Sequence, residues 1–236
     1  MPKKLFLCGT ALFFVKSGLT MTANFSLLSI LHDHALSHGD YIAHLLPDRV
    51  ITYRRFWSRI ERASARLQGE WGVGVGDTVI YWGSGHPDAI ILYCALLRLG
   101  AKLMPCEDRD REYVQHMMEQ TKSQLVVHDD VLTFISLPAH SLSSLLADWC
   151  HFDPVVIQDE SATPALYLHD LIQNDSSAVS IGELIQALSP LQQVDEAEAV
   201  VIDGPIFHKE KLINLILPAL IAGRRLQFSL IEPLKA

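Results

Sequence analysis

Apolar residues recur at helical spacing in two stretches near the start of the chain. The first stretch, residues 27–38, predicts a helix, and Thr52 stands at the N-cap position of a second one. Short strands are predicted at residues 42–46 and 49–53. Arginines line the side of the second helix opposite its apolar residues. Because glutamates interrupt them, we interpret this side as a solvated surface.

Strands and helices then alternate. The glycines of residues 71–77 follow a helix and precede a strand, which is the reverse of a dinucleotide-binding turn. We therefore interpret them as a helix stop and a turn. The predicted order is strand 78–82, helix 87–99, strand 102–105, helix 110–122 and strand 124–128. This order is typical of an α/β fold with mostly parallel sheets flanked by helices.

A weaker α/β pattern occupies the rest of the chain. It predicts a short helix at 143–150, strand 165–169, helix 181–188, strand 199–202, helix 209–222 and strand 225–230. The predicted domains are an apolar leader at 1–25, a first α/β subdomain at 26–130, an irregular connection at 131–163 and a partial second α/β subdomain at 164–236.

The first residues leave two interpretations open. Two lysines precede the apolar run Leu5–Val15, a pattern that resembles a secretory signal over Met1–Val15. No small-residue cleavage site follows, and Lys16 interrupts the run, so we favour a leader or a mis-assigned start with translation from Met21. The four cysteines form no CxxC pair, so the sequence has no zinc or redox motif of that kind. Three of them lie among apolar neighbours and are interpreted as buried free thiols, which favours a reducing compartment, and we expect a cytoplasmic protein.

Composition excludes several classes of function. Apolar residues make up 49% and charged residues 19% of the 236 residues, a globular composition. The 19 basic and 27 acidic residues give a net charge of −8, which argues against a nucleic-acid partner. No apolar run reaches the roughly 18 residues of an integral membrane span.

Short motifs along the chain match a known superfamily in order and spacing. They are Thr52-Tyr53, Gly72-Val73, Gly76-Asp77, Gly100-Ala101, Pro105, Phe207-His208, Pro218-Ala219-Leu220 and Gly223. Over about residues 26–232 the chain resembles the N-terminal part of the adenylate-forming (AMP-binding) superfamily. That superfamily contains acyl-CoA synthetases, aryl-CoA ligases and the adenylation domains of peptide synthetases. The resemblance implies an incomplete N-terminal lobe of the adenylate-forming α/β fold.

The family reaction needs features that this sequence lacks. Family members adenylate a carboxylate with ATP and Mg²⁺ and pass the acyl group to a thiol, often that of coenzyme A. A Gly/Ser/Thr-rich loop with a lysine holds the phosphates. The corresponding stretch here has two aspartates and no glycine or lysine. We mark its degenerate phosphate-loop positions as His169, Asp170, Asn174, Asp175, Ser176 and Ser177.

The charge around this loop is also unfavourable for binding phosphates. No Lys or Arg occurs from Ser123 to His208, and thirteen acids do, so a nucleotide would meet a negative field. The chain also ends before the family's magnesium carboxylate and catalytic lysine. We predict no catalytic residue, no metal site and no cofactor for this chain alone. Phe207 and His208 are substrate-pocket candidates, because His208 matches a family histidine beside the acyl pocket.

Two weaker motifs are interpreted as structural. His32, His34 and His38 have partial metal spacing but fit the surface of the first helix. Gly83-Ser84-Gly85-His86 lacks the elbow of a nucleophilic serine.

The leading hypothesis is a non-catalytic, truncated pseudoenzyme that acts as a binding or scaffolding protein. The alternative is half of a split AMP-forming acid–CoA ligase that a second chain completes, and a remnant without a biochemical role is a third. We expect a protein partner or a homodimer to form through residues 200–232. The reason is that helix 209–222 is apolar almost all round and the strand after it is expected to be left as a sheet edge.

Overall fold

The computed structural model of the chain describes residues 26–107, 109–129, 139–147, 164–170, 175–180 and 199–229. The helices are α1 (Leu27–Ser37), α2 (Tyr53–Gly69), α3 (Ala89–Leu99), α4 (Arg111–Thr121), α5 (Leu142–Leu145), α6 (Lys209–Lys211) and α7 (Leu217–Ile221). A π-helical stretch, Leu212–Ile216, joins the last two into one helical segment, 209–221. The strands are β1 (Ile42–Leu45), β2 (Val50–Thr52), β3 (Thr78–Gly83), β4 (Lys102–Glu107), β5 (Leu125–His128), β6 (Ala139–Ser141), β7 (Pro164–Asp170), β8 (Asp175–Ser180), β9 (Val200–Ile202) and β10 (Leu226–Phe228).

The described strands form two mostly parallel sheets. The six-stranded sheet has the order β6-β5-β3-β4-β7-β8, and its pairs are parallel except β7 with β8. The four-stranded sheet has the order β2-β1-β10-β9, and only β2 runs antiparallel to its neighbour. The predicted fold class, mostly parallel sheets flanked by helices, is therefore confirmed.

Helices α1, α3 and α4 begin and end close to their predicted positions, and α2 begins directly after its predicted N-cap, Thr52. The Thr52 hydroxyl accepts the N–H of Arg55 at the start of α2, and the Asp110 carboxylate accepts the N–H of Tyr113 at the start of α4. Gly100 follows α3 with φ 65°, a left-handed conformation that glycine adopts without strain. These local interactions fix the element boundaries within one or two residues.

Helices cover both faces of the six-stranded sheet. Every residue of α3 is buried, and this helix belongs to the main apolar core with α1, α2 and segment 209–221. On the opposite face, Val114 of α4 packs in a smaller cluster with Ile80, Trp82 and Met104. A sheet that is buried on both faces explains why β3 reads as a continuous apolar run rather than an alternating one.

One predicted helix differs from the structure, and two observed strands were not predicted. The helix predicted at 143–150 is the four-residue α5, and its last predicted residues lie outside the described ranges, as does all of the helix predicted at 181–188. The strands β6 and β8 were not predicted. Periodicity misses them because three residues are too few to show a pattern, and because β8 is largely polar.

The prediction that the last strand would be a sheet edge is wrong. β10 lies between β1 and β9, with Leu226 opposite both His44 and Val200. Among the described strands, the edges of this sheet are β2 and β9, and Val201 of β9 is 52% exposed. Strands from residues 164–229 thus join both sheets, and the two predicted subdomains share them.

The helical segment 209–221 is covered mainly by this chain. Leu212, Ile216, Leu217 and Leu220 are buried, and of its apolar residues only Leu215 is clearly exposed, at 41%. α7 packs against α1, where the His34 ring bonds through Nε2 to the carbonyl oxygen of Ile221 at 3.0 Å. Most of the apolar surface that motivated a partner through residues 200–232 is therefore buried within the monomer.

Candidate functional site

We use the term crevice for the edge at which the first three parallel strands of the six-stranded sheet end. The chain moves from β3 to β4 on one side and then crosses to β5 on the other side of β3. The carboxyl ends of these strands, at Gly83, Glu107 and His128, therefore meet at one edge of the sheet. Open α/β sheets bind ligands at such a reversal of strand order. This edge is the candidate functional site.

A buried carboxylate holds the turn after β3. Asp129 Oδ2 accepts the backbone N–H of Ser84 at 2.6 Å, its hydroxyl at 3.1 Å and the Tyr81 hydroxyl at 3.4 Å. A Cβ at Gly83 would lie 2.3 Å from the same oxygen, so only glycine leaves room for the carboxylate. The turn is thereby tied to the end of β5.

The Tyr81 hydroxyl links this turn to the next residues. It accepts the backbone N–H of His86 at 2.8 Å. Burial, followed by the neighbouring carboxylates of Asp129 and Glu107, raises the pKa of Tyr81 well above its usual value. The phenol therefore stays protonated and serves as a fixed donor in the network.

Glu107, at the end of β4, joins the crevice to the loop before segment 209–221. Its Oε1 accepts the N–H of Ile206 at 2.9 Å and its Oε2 accepts the N–H of Phe207 at 2.8 Å. Gly85 (φ 89°) permits this approach, because a Cβ there would come 2.9 Å from the Cα of Pro205. Glu107 and its two amide partners are buried.

The predicted pocket residues lie beside this loop. Phe207 is buried, and its ring meets those of Tyr81 and Tyr93 edge-on at centroid distances of 5.9 and 6.1 Å. His208 is exposed and precedes α6. Phe207 thus packs in a cluster of aromatic rings, whereas His208 lies at the surface.

The degenerate phosphate-loop positions lie on the β7–β8 hairpin. In its register Asp170 is opposite Asp175, His169 is opposite Ser176, and Leu168 is opposite Ser177. Asn174 lies outside the described residues. β7 is next to β4, so the hairpin belongs to the same sheet as the crevice. Asp170 and Asp175 are thus paired in register on either side of residues 171–174.

A third buried carboxylate, that of Asp88, lies at the start of α3. Asp88 forms ion pairs with Arg49 and with Arg59, the latter at 3.8 Å, and its Oδ2 lies 3.9 Å from His86 Nδ1. These contacts connect the β1–β2 hairpin, α2 and α3 behind the crevice. Asp88 is 3% exposed, so its ion pair with Arg49 belongs to the protein interior and not to the solvated surface.

Sequence reasoning missed Glu107 and Asp129 as members of the site. Both are polar residues at the end of an apolar strand or directly after it, and this position was the available signal. The three histidines of α1 make structural contacts, but the expectation that all of them lie on the helix surface is wrong for His34, which is buried. His32 stacks on Trp57, His34 bonds to Ile221, and His38 bonds to the Ser37 hydroxyl at 2.9 Å. Within the described residues, no group of three or more potential ligands could hold a metal ion.

The Ser84 hydroxyl is also not arranged as a nucleophile. It donates to the Asp129 carboxylate, and the His86 ring nitrogen Nδ1 accepts the N–H of Asp88 at 3.2 Å. The serine and histidine therefore serve separate parts of the turn.

The two sheets, their flanking helices and the crevice define an α/β protein of the class formed by the N-terminal lobe of adenylate-forming enzymes. A family model described as "AMP-binding enzyme" matches residues 31–179, more than half of the chain. The chain therefore belongs to the AMP-binding enzyme family.

A comparison with curated protein sequences gives no match. In the described ranges, no helix combines the length and the apolar character required to cross a bilayer.

Solved structures with the same fold include the following three bacterial proteins. One is an artificially fused adenylation–PCP di-domain, NpsA-ThdA, from Klebsiella oxytoca (20% identity, TM-score 0.72, covering 86% of this chain and 39% of that one). Another is the unliganded O-succinylbenzoate coenzyme A synthetase MenE from Bacillus subtilis (16%, 0.72, 84% and 43%). A third is a putative long-chain-fatty-acid CoA ligase from Rhodopseudomonas palustris (20%, 0.72, 86% and 57%). The chain thus spans 39–57% of the length of these structures and matches their N-terminal part.

Proposed function

We propose that this chain is an AMP-binding family protein that does not adenylate by itself and acts as a binding or scaffolding protein. The observation that carries the proposal is the register of the β7–β8 hairpin, which sets Asp170 opposite Asp175. At the position that resembles the family's phosphate loop, two carboxylates stand where a lysine and backbone N–H groups are needed.

Simple electrostatics supports this proposal. Two carboxylates on directly opposite residues of an antiparallel pair repel each other and repel a triphosphate. A nearby cation would be required to reverse the sign. The sequence contains no Lys or Arg between Ser123 and His208. We therefore expect this chain to bind ATP more weakly than a family member whose phosphate loop carries a lysine, with or without Mg²⁺.

The first experiment is isothermal titration of the full chain with ATP–Mg²⁺. We expect a dissociation constant in the millimolar range or weaker, together with background pyrophosphate exchange on a panel of carboxylic acids. A variant with Asp170→Asn and Asp175→Asn removes both negative charges and keeps the size of the side chains. If the charges of these aspartates weaken ATP binding, this variant should bind ATP more tightly than the unaltered chain. A micromolar dissociation constant for the unaltered chain would contradict the proposal.

The binding role is proposed to use residues 200–229. Among the described strands, β9 has a neighbour on one side only, and Val201 of this strand is 52% exposed. Edge strands of this kind accept a further strand from a partner. Light scattering with size-exclusion chromatography tests a homodimer, and Val201→Lys should weaken any association. A monomer at tens of micromolar, with no change on this substitution, would exclude self-association through β9.

The second candidate function is half of a split acid–CoA ligase. The family match over residues 31–179 favours it, because the fold of the N-terminal part is kept. A pull-down from the native host, followed by pyrophosphate exchange on the isolated complex, distinguishes the two proposals. Exchange that appears only in the complex would support the split ligase over the scaffold.

A further inference from the structure

We infer that the backbone N–H groups of Ile206 and Phe207 form a carboxylate-binding site which this chain fills with its own Glu107. The side chain acts as an intramolecular ligand and keeps the site closed to carboxylates from solution. This inference rests on the contacts of Glu107 alone. It therefore stands or fails separately from the proposed function, which concerns ATP.

The geometry is that of a bidentate anion site. Two consecutive N–H groups point at two different oxygens of one carboxylate, at 2.9 and 2.8 Å. Hydrogen bonds to an ionised acceptor are roughly twice as strong as neutral ones. Glu107 is only 9% exposed, so the amide pair takes over interactions that water would otherwise provide.

Contacts other than those of Glu107 also hold the loop that carries the two N–H groups. The Phe207 ring is fixed between Tyr81 and Tyr93, and segment 209–221 follows with a buried Leu212. The missing side chain of Gly85 leaves space beside Oε1, since a Cβ there would lie 3.2 Å from this oxygen. The site is thus preorganised for a carboxylate of small size.

Glu107→Ala removes a CH₂–COO⁻ unit and leaves room for a molecule of nearly the same shape, which is acetate. Acetate is therefore the probe. In the full-length Glu107→Ala protein, acetate should restore both hydrogen bonds. A ligand that binds only the folded state raises the melting temperature by mass action.

The test compares melting temperatures in sodium acetate and in sodium chloride at equal ionic strength. For Glu107→Ala we expect a rise of about 3–5 °C for each tenfold increase in acetate above its dissociation constant. The unaltered chain and the matched control Glu119→Ala, which removes an exposed glutamate of α4, should show no difference between the two salts. An equal response of Glu107→Ala to acetate and chloride overturns the inference.

Glu107→Gln gives a second measurement if Glu107→Ala does not fold. The glutamine keeps the size but can accept only one of the two N–H groups. In ¹⁵N-resolved spectra we expect the Ile206 or Phe207 amide proton to shift upfield and exchange faster than in the unaltered chain. Unchanged shifts and exchange rates at both amides would show that the carboxylate is not their ligand.

Discussion

Asp129 binds both the backbone N–H and the hydroxyl of Ser84, and so joins the end of β5 to the turn that follows β3. The two residues are 45 positions apart and both are buried. This contact fixes the centre of the crevice. Loss of the contact between Asp129 and Ser84 should lower the free energy of unfolding and change the conformation of the turn after β3.

Asp129→Ala should destabilise the fold by about 2–4 kcal/mol, because the Ser84 donors and the Tyr81 hydroxyl lose a charged acceptor inside the protein. Asp129→Asn should cost less, since one oxygen remains. Urea unfolding measures the change. The control is Asp33→Ala, on an exposed position of α1, which we expect to stay within about 0.5 kcal/mol of the unaltered chain. Equal stability of the two alanine variants would contradict the role of Asp129.

Gly83→Ala tests the same contact from the other side. The new Cβ would lie 2.3 Å from Asp129 Oδ2 and 2.5 Å from its Cγ, so the carboxylate must move. We expect a loss of about 2–3 kcal/mol from overpacking and broken hydrogen bonds. Gly74→Ala is the matched control, because its nearest neighbour would be 3.6 Å away. If thermal unfolding shows equal losses, the close approach at Gly83 has no special effect.

His44 should make the protein sensitive to acid. Burial, then the charges of Arg49 and Arg59, lower the pKa of His44 to about 3, and neither ring nitrogen has a hydrogen-bond partner among the described residues. The unfolded chain takes up a proton near pH 6.5. Stability from this group is therefore complete above pH 6.5 and falls as the pH drops toward 3.

His44→Leu removes this titration while keeping an apolar contact with Phe56 and Phe228. Between pH 7 and pH 5 the unaltered chain should lose about 2 kcal/mol more stability than the variant. Urea unfolding at both pH values measures this difference. Identical losses would mean that His44 is not the group responsible.

Arg66 should hold the short helix α5. Its Nη1 donates to the carbonyl oxygens of Ser144, Leu145 and Ala147 at 2.6–3.1 Å, and the side chain is 6% exposed. Arg66→Lys keeps the charge but loses the planar fork, and we expect a loss of about 1–3 kcal/mol. Hydrogen exchange at residues 142–146 should accelerate.

Arg55→Lys is the control for this experiment, since Arg55 is exposed on the same helix α2. It should leave exchange at α5 unchanged. If both variants leave α5 equally protected, the carbonyl contacts of Arg66 do not stabilise that helix.

Local sequence signals determined the elements of this protein and its family. The Thr52 cap, the helical spacing in α2 and the stop at Gly100 act within a few residues, so periodicity and capping rules were sufficient there. The ordered motifs likewise indicated the family, which the match over residues 31–179 confirms. The same ordering placed a degenerate phosphate loop at residues 169–175, whereas the strand β8, which begins at Asp175 and pairs with β7, was not predicted.

The order of the strands and the meeting of distant side chains were decided by the tertiary structure. β10 became a central strand because β1, from the start of the described chain, pairs with it, and no local pattern carries that information. Glu107 reaches the amides of Ile206 and Phe207 across about 100 residues of sequence, because two strand ends and a loop converge at one sheet edge. Propensities and caps act between neighbours in sequence, whereas the crevice is made by neighbours in space.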